Sequence, residues 1–147
     1  MKIFAFLFAV ILGGLSLELT KPGPTSSSEA EAARLPLESY FKAHATGNGD
    51  FIRKAFLPEA KVMAFRDGKL LNLTAEEFAA RFNGQPAADE AQRQRRIESL
   101  DISGNAAIAK LVLDYPTVRF TDYMSLLKVN GEWKIAGKVF YAEPKTK

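Results

Sequence analysis

The chain has 147 residues, of which 47% are hydrophobic and 25% charged, enough for one globular domain but too few for two of ordinary size. It has no cysteine and one histidine, which excludes disulfides, thiol nucleophiles and anchoring of a lipid at cysteine, and disfavours a zinc site. Its formal charge of +3 is mixed along the chain and indicates solubility rather than nucleic-acid binding. We predict neither a metal nor a cofactor.

The N-terminal stretch predicts export. Lys2 precedes an apolar run from Ile3 to Leu15, which is shorter than the roughly 20 residues of a membrane span and resembles the core of a signal peptide. We predict a signal peptide at 1–17, or an uncleaved N-terminal anchor, followed by a flexible linker at 18–28 that is rich in proline, glycine and serine. The mature domain, 29–147, is then periplasmic or secreted, with no membrane contact beyond that possible anchor.

Residues 29–46 are predicted to form a helix with Pro36 in the first turn of its main part, where the missing N–H costs little. One apolar stripe follows the spacing i, i+3, i+4, i+7 and consists of Leu37, Tyr40, Phe41 and His44. Gly47-Asn48-Gly49 ends this helix. Asp50 is expected to cap a short second helix, in which Phe56 faces inward and which Pro58 ends.

The rest of the chain predicts strands with one further helix. Segments 61–66 and 69–73 flank the hairpin signal Asp67-Gly68, and Thr74–Glu77 reads as a capping box that opens a third helix. Further strands are predicted at 93–103 and 106–115. A long hairpin follows at 119–141, turning at Asn130-Gly131. Helices on one face of an antiparallel sheet make the fold class α+β.

The long hairpin is apolar on both sides. Successive strand residues face opposite sides, so Asp122, Met124 and Leu126 share one face, and Tyr123, Ser125 and Leu127 share the other. Because helices cover only one face of the sheet, the other requires a second cover. We therefore predict a homodimer formed through the face that the helices leave free.

Two groups of polar residues are candidates for chemistry. Tyr40 and His44 lie on one helix face that points at the sheet, and they are either satisfied core residues or pocket-lining groups. His44 alone has a side chain whose unperturbed pKa suits acid–base work near neutrality. Arg93, Arg95 and Arg96 could bind phosphate or carboxylate, or could be solvated charges at a strand end.

Two stretches of sequence resemble a known superfamily. They are YFKAHATGNGDFIRKAF (40–56), followed by PEAKV, and DYMSLLKVNGEWKIAGKVF (122–140). They are similar to the superfamily of nuclear transport factor two and ketosteroid isomerase, in the bacterial branch named SnoaL-like or Putative lumazine-binding. The resemblance implies a cystatin-like cone, in which three N-terminal helices pack on the concave face of a strongly curved antiparallel sheet and enclose a cavity.

The resemblance does not carry over the isomerase chemistry. Isomerase members use a helix tyrosine, a strand aspartate as base and a second, protonated aspartate. The matching positions here are Tyr40, Ala64 and Ser125, so only the tyrosine is retained. A dehydratase-type His/Asp site could draw only on His44 and Asp122.

The predicted function is binding of a small apolar or aromatic molecule in the cone cavity, without catalysis. Polar contacts are predicted from Tyr40, His44, Tyr123 and Ser125, and apolar walls from Phe56, Phe65 and Tyr141. One alternative is an isomerase or dehydratase that uses His44 as base and Tyr40 as hydrogen-bond donor. The other is a dimeric interaction module whose cavity is filled by its own side chains.

Overall fold

The computed structural model describes residues 26–146, so the predicted signal segment at 1–17 lies outside the described residues. Within residues 26–146 there are three α-helices, a short 3-10 helix at Glu90–Gln92 and six strands. The α-helices are α1 (Ser26–Thr46), α2 (Asp50–Ala55) and α3 (Ala75–Ala79). The strands are β1 (Phe56–Arg66), β2 (Lys69–Thr74), β3 (Gln94–Ser103), β4 (Ala106–Asp114), β5 (Val118–Val129) and β6 (Glu132–Pro144).

The six strands form one curved, unclosed sheet in the order β2-β1-β6-β5-β4-β3. All neighbouring strands are antiparallel except β1 and β6, which run parallel. β6 is the last strand of the β3–β6 meander, and it brings that meander back to the side of β1. The helices pack against one face, which we call the inner face; the opposite face is the outer face. The predicted α+β fold, with helices on the concave side of a curved sheet, is confirmed.

Three boundaries differ from the prediction. Helix α1 begins at Ser26, three residues before the predicted start, and Pro36 lies in its middle rather than in a first turn. Packing of α1 on the sheet outweighs the hydrogen bond that the proline removes, because most helical stability in proteins is tertiary. Gly49, not Asp50, is the N-cap residue of α2, and Asp50 pairs instead with Arg53. Pro58 lies within β1, where the register with β6 shifts.

The Gly47-Asn48-Gly49 turn does more than end α1. A Cβ on Gly47 would lie 1.9 Å from the carbonyl oxygen of Gln85, and one on Gly49 would lie 2.3 Å from that of Ala79. The amide of Gly84 donates to the carbonyl of Gly47 at 2.7 Å. The turn is therefore pressed against the chain that follows α3, and this contact holds the end of α1 close to α3.

The core lies between α1, α2, α3 and the inner face of the sheet. Its most completely buried apolar side chains come from helices and strands alike and are Leu37, Tyr40, Ile52, Val62, Leu111, Leu113, Met124, Leu126 and Ile135. The capping box at Thr74 is present as predicted, with Glu77 bonding back to the Thr74 amide. In the described part of the chain, no helix has the length and apolarity needed to cross a membrane.

Candidate functional site

The β5–β6 hairpin delivers two opposite charges to the inner face. On β5, Asp122, Met124 and Leu126 are buried, and the intervening residues are exposed. On β6, Trp133 and Ile135 are buried, but the pairing with β5 shifts between Ser125 and Leu126. This irregularity reverses which residues of β6 face inward, as a bulge does. Lys138 and Phe140 therefore turn inward.

The predicted wall residues divide between the two faces. Tyr40 and His44 lie on the inner side, and Phe56 packs behind them, with its ring centroid 6.2 Å from that of Tyr40. The prediction that the others face the cavity is wrong, because strand alternation and the β6 shift place them on the outer face. They are Phe65, Tyr123, Ser125 and Tyr141.

A buried trio of polar side chains forms the floor of the site. The hydroxyl of Tyr40 donates to Oδ2 of Asp122 at 2.6 Å. Nζ of Lys138 lies 2.9 Å from Oδ1 of the same carboxylate. Tyr40 and Asp122 have no solvent exposure, and Lys138 is 5% exposed. A buried carboxylate requires such partners, since an unpaired charge in the interior is costly.

Burial and charge shift the protonation equilibria of the trio. Burial, followed by the nearby Asp122 carboxylate, raises the pKa of Tyr40 well above its usual value, so its proton stays on the hydroxyl. Burial lowers the pKa of Lys138, while the attraction of Asp122 opposes that change. The lysine therefore loses its proton more readily than a solvated lysine does.

His44 completes the inner surface as a neutral ring. Its centroid lies 4.7 Å from that of Tyr40 and 5.1 Å from that of Phe82, both edge to face. Burial first, and then the positive charge of Lys138, lower the pKa of His44 well below its usual value. Within the described residues its Nε2 atom is buried and has no hydrogen-bond partner. Oδ1 of Asp122 also lacks a hydrogen bond but forms the ion pair with Lys138, so Nε2 of His44 is the buried atom of the site that has neither kind of partner.

Tyr40, His44 and Lys138, but not Asp122, line a pocket of about 180 Å³, which we call the inner pocket. Tyr40, His44 and Lys138 supply its polar atoms, and Arg66 and Arg81, both exposed, carry cations beside it. Its remaining lining is apolar and consists of Val62, Leu71, Leu73, Phe78, Phe120 and Phe140. This volume is on the scale of the roughly 150 Å³ cavity that admits a benzene ring in another protein.

A larger cleft, of about 570 Å³, lies between α1, α2 and the β5–β6 turn. It is lined by exposed groups such as Glu38, Lys42, Lys54 and Glu132. None of the buried, unpartnered polar atoms of residues 26–146 belongs to its lining. The inner pocket is therefore the better candidate site despite its smaller size. Nor do three His, Cys, Asp or Glu side chains of that range meet to hold a metal.

The arginine cluster is internally neutralised. Arg95 makes a two-pronged pair with Glu90, at 2.6 and 2.8 Å, and also donates to the hydroxyl of Tyr115. Arg93 pairs with Asp89 at 2.7 Å, and Arg96 pairs with Glu98 at 3.2 Å. Of the two interpretations left open by the sequence, this arrangement favours paired strand-end charges over an anion site.

The sequence prediction placed one acid at the wrong position and did not include one amine of the site. The match to the isomerases put the second acid at Ser125, whereas the carboxylate beside Tyr40 is that of Asp122. Lys138 was not among the predicted site residues at all. The only signal for it was the small pair Ala136-Gly137 just before it, a composition typical of bulges.

Comparison with known proteins identifies the family to which the chain belongs. The family described as Putative lumazine-binding matches residues 28–141. An NTF2-like protein from Shewanella baltica OS155 is 26% identical, with a TM-score of 0.75 over 84% of this chain and 100% of that one. One from Silicibacter pomeroyi DSS-3 is 24% identical, with a TM-score of 0.72 over 82% of this chain and 100% of that one.

A similarity to a characterised protein is more distant. A protein from Cladobotryum sp named Aldolase FrzH is 20% identical over 122 residues, which make up 82% of this chain and 96% of that protein. The family match covers well over half of the chain and agrees with the curved sheet and its helices. The chain therefore belongs to the Putative lumazine-binding family of the NTF2-like superfamily.

Proposed function

We propose that the protein binds a small molecule with one aromatic or apolar ring in the inner pocket. The observation that carries this proposal is an apolar pocket with three buried polar groups, Tyr40, His44 and Lys138, in its lining. Ligand sites in proteins combine these features, an apolar wall and a few placed polar atoms. The volume selects a ligand of about one ring rather than a large, fused one.

The polar atoms define what the ligand carries. The Tyr40 hydroxyl is already committed to Asp122, so the free hydrogen-bonding capacity comes from the ammonium of Lys138 and from Nε2 of His44. An ammonium has three donors, of which Asp122 engages one side. A ligand oxygen that accepts from Lys138 fits this arrangement. Arg66 and Arg81 beside the pocket favour neutral or anionic ligands over cations.

The test uses two neighbouring leucines on opposite faces of β2. Leu71 lines the inner pocket, whereas Leu70 is 63% exposed. We expect Leu71→Trp to fill the pocket and abolish binding of benzyl alcohol, followed by NMR titration of the full chain. Leu70→Trp is the matched control and should bind as the wild type does. Equal binding by both variants would locate the ligand elsewhere and refute the proposal.

Catalysis is a second candidate, favoured by the proximity of three titratable groups. In this alternative His44 acts as base, because its neutral form is retained to low pH, and Tyr40 orients Asp122 rather than contacting substrate. The relative named as an aldolase is compatible with a carbonyl substrate. Deuterium exchange of a bound ketone's α-protons would reveal such a base. Exchange unaffected by His44→Gln would count against it.

We propose a homodimer through the outer face and export from the cytoplasm as the setting of this function. The outer face exposes Tyr123, Val139 and Tyr141, with Val139 directly opposite Tyr123 in the register and Met63 beyond it. Contiguous exposed apolar surface of this kind marks interaction sites.

Export is tested by the mass of the protein recovered outside the cytoplasm, which should lack the predicted signal segment. Full-length mass would favour the anchor instead.

A further inference from the structure

Binding of a small molecule does not by itself explain why the side chain of Lys138 is buried at the inner pocket. Lys138 lines the inner pocket, although its side chain is only 4% exposed and lies in the middle of β6. Lysine is rarely this buried unless it is paired, and here the pairing partner, Asp122, occupies only one side of the amine. The amine nitrogen lies 4.1, 5.4 and 5.6 Å from the ring centroids of Phe140, Tyr40 and Phe78, which line the same pocket, so the amine borders the space that a ligand would enter.

We propose that Lys138 forms an imine with a small aldehyde or ketone in the inner pocket. This inference rests on the proposed binding function and narrows its ligand class to carbonyl compounds. A carbonyl oxygen satisfies the requirement for an acceptor near the ammonium, and the carbonyl carbon then lies beside the nitrogen that attacks it. Buried lysines are the ones that proteins use as amine nucleophiles.

The reaction balances within the trio. Lys138 first passes one ammonium proton to Asp122. The free amine adds to the carbonyl carbon, and one proton moves from the attacking nitrogen to the carbonyl oxygen, which becomes a hydroxyl. Asp122 then returns its proton to that hydroxyl, the C–O bond breaks to release water, and the nitrogen lone pair forms the C=N bond. In sum, an ammonium and a carbonyl give a protonated imine and water, and Asp122 is a carboxylate before and after.

The charge balance explains why the buried pair suits this step. The protonated imine carries the same single positive charge as the ammonium it replaces, so Asp122 never lacks a cation. The nitrogen also lies 4.1 Å from the centroid of Phe140, over its ring, where a cation is attracted. Tyr40 holds the second carboxylate oxygen at 2.6 Å and thereby fixes the acceptor's position. The lowered pKa of Lys138 raises the fraction of free amine near neutral pH.

The experiment traps the imine in the full chain. Protein is incubated with benzaldehyde and cyanoborohydride, which reduces a protonated imine to a stable secondary amine, and peptide mass mapping locates the label. We expect labelling at Lys138 to be at least about tenfold faster than at exposed lysines, because the pocket holds the aldehyde beside an amine whose pKa is lowered by burial. Benzyl alcohol, which lacks the carbonyl, should compete with it.

Two variants make the result decisive. Lys138→Arg keeps the cation beside Asp122 but offers no amine that forms an imine, so labelling at this position should vanish. Lys69→Arg, at an exposed site in the β1–β2 hairpin, should leave labelling of Lys138 unchanged. Benzyl alcohol bound by the wild type without label at Lys138 would overturn this inference and leave the binding function intact. Absence of both binding and label would overturn both proposals, and label spread evenly over exposed lysines would overturn this one.

Discussion

The two faces of the β5–β6 hairpin reverse the usual distribution of polarity at two adjacent positions. Consecutive residues Asp122 and Tyr123 lie on opposite faces, and so do Lys138 and Val139. The inner face buries the two charged residues, whereas the outer face leaves Tyr123 46% and Val139 52% exposed. Folding alone favours the opposite choice on both faces, because buried charges cost free energy and exposed apolar surface gains none.

The difference indicates where each face makes its contacts. On the inner face the two charges pair with each other, and we propose that the Lys138 amine meets a small molecule in the pocket. The apolar residues of the outer face have no cover within residues 26–146, and we propose that a second copy of the chain covers them. Each departure from the usual pattern therefore points to one partner. Variants on each face separate the two contributions, and those on the inner face should lower the free energy of unfolding most.

Breaking the inner pair should have the largest effect. Asp122→Ala leaves the Lys138 ammonium and the Tyr40 hydroxyl buried without an acceptor. We expect a loss of about 3–5 kcal/mol in the free energy of unfolding, measured by urea denaturation, because one partner of a buried pair is removed. Replacing all three groups, as Tyr40→Phe, Asp122→Leu and Lys138→Met, should restore most of that stability, because no polar group is then left unpaired.

The triple variant also separates stability from function. It should fold and yet fail to form the imine, whereas a trio retained only for stability would make it less stable than Asp122→Ala. A cost below about 1 kcal/mol for Asp122→Ala would show that water reaches the carboxylate. The inner face would then not be the dry, charged site that its burial indicates.

The pH dependence of stability should report the neutral state of His44. Its pKa is lowered on folding, so the unfolded chain takes up the proton first as pH falls below about 6.5. The folded state therefore loses stability from pH 6.5 downward, at up to about 1.4 kcal/mol per pH unit, until the folded pKa is reached. Above pH 6.5 the contribution is fully present.

A difference measurement isolates this slope. His44→Leu should lose it between pH 7 and pH 5, a window above the range in which Glu29 and Asp114, whose pKa values are lowered by their cationic partners, begin to contribute. Phe82→Leu, which alters the ring packed on His44 without removing the titrating group, should retain it. Identical slopes for His44→Leu and the wild type would mean that the ring is solvated.

The fold was predictable because its signals are local. Asn130-Gly131 and Asp67-Gly68 specify hairpins through residues that tolerate positive φ, and all four have it in the structure. The Thr74 capping box likewise needs only four consecutive residues. The parallel pairing of β1 with β6 was not predicted, since it joins strands far apart in sequence and no local pattern encodes it.

The site was harder to predict because it depends on which alternate residues of β5 and β6 face inward. Strict alternation from Trp133 and Ile135 places Tyr141 inside and Lys138 outside, and the irregularity near Ala136 reverses both. On β5 the two faces were correctly separated, but both were apolar enough that the sequence could not tell inner from outer. Only the contact of Asp122 with Tyr40, across 82 positions of sequence, decides it.

Disrupting the outer face should have the smallest effect on the fold and a complete effect on association. Tyr123→Lys puts a charge at the end of the exposed apolar row that contains Val139 and Met63, next to Lys110. We expect sedimentation to report a monomer in place of a dimer. The monomer's free energy of unfolding should change by no more than about 0.5 kcal/mol, because the site is on the surface. Gln92→Lys, an equal charge change at an exposed site of the 3-10 helix, should leave the dimer intact.

If Lys138 of the variant monomer is still labelled by benzaldehyde, then the inner pocket is complete within one chain and the two faces act independently. A wild type that sediments as a monomer would instead leave the outer face for a different protein partner.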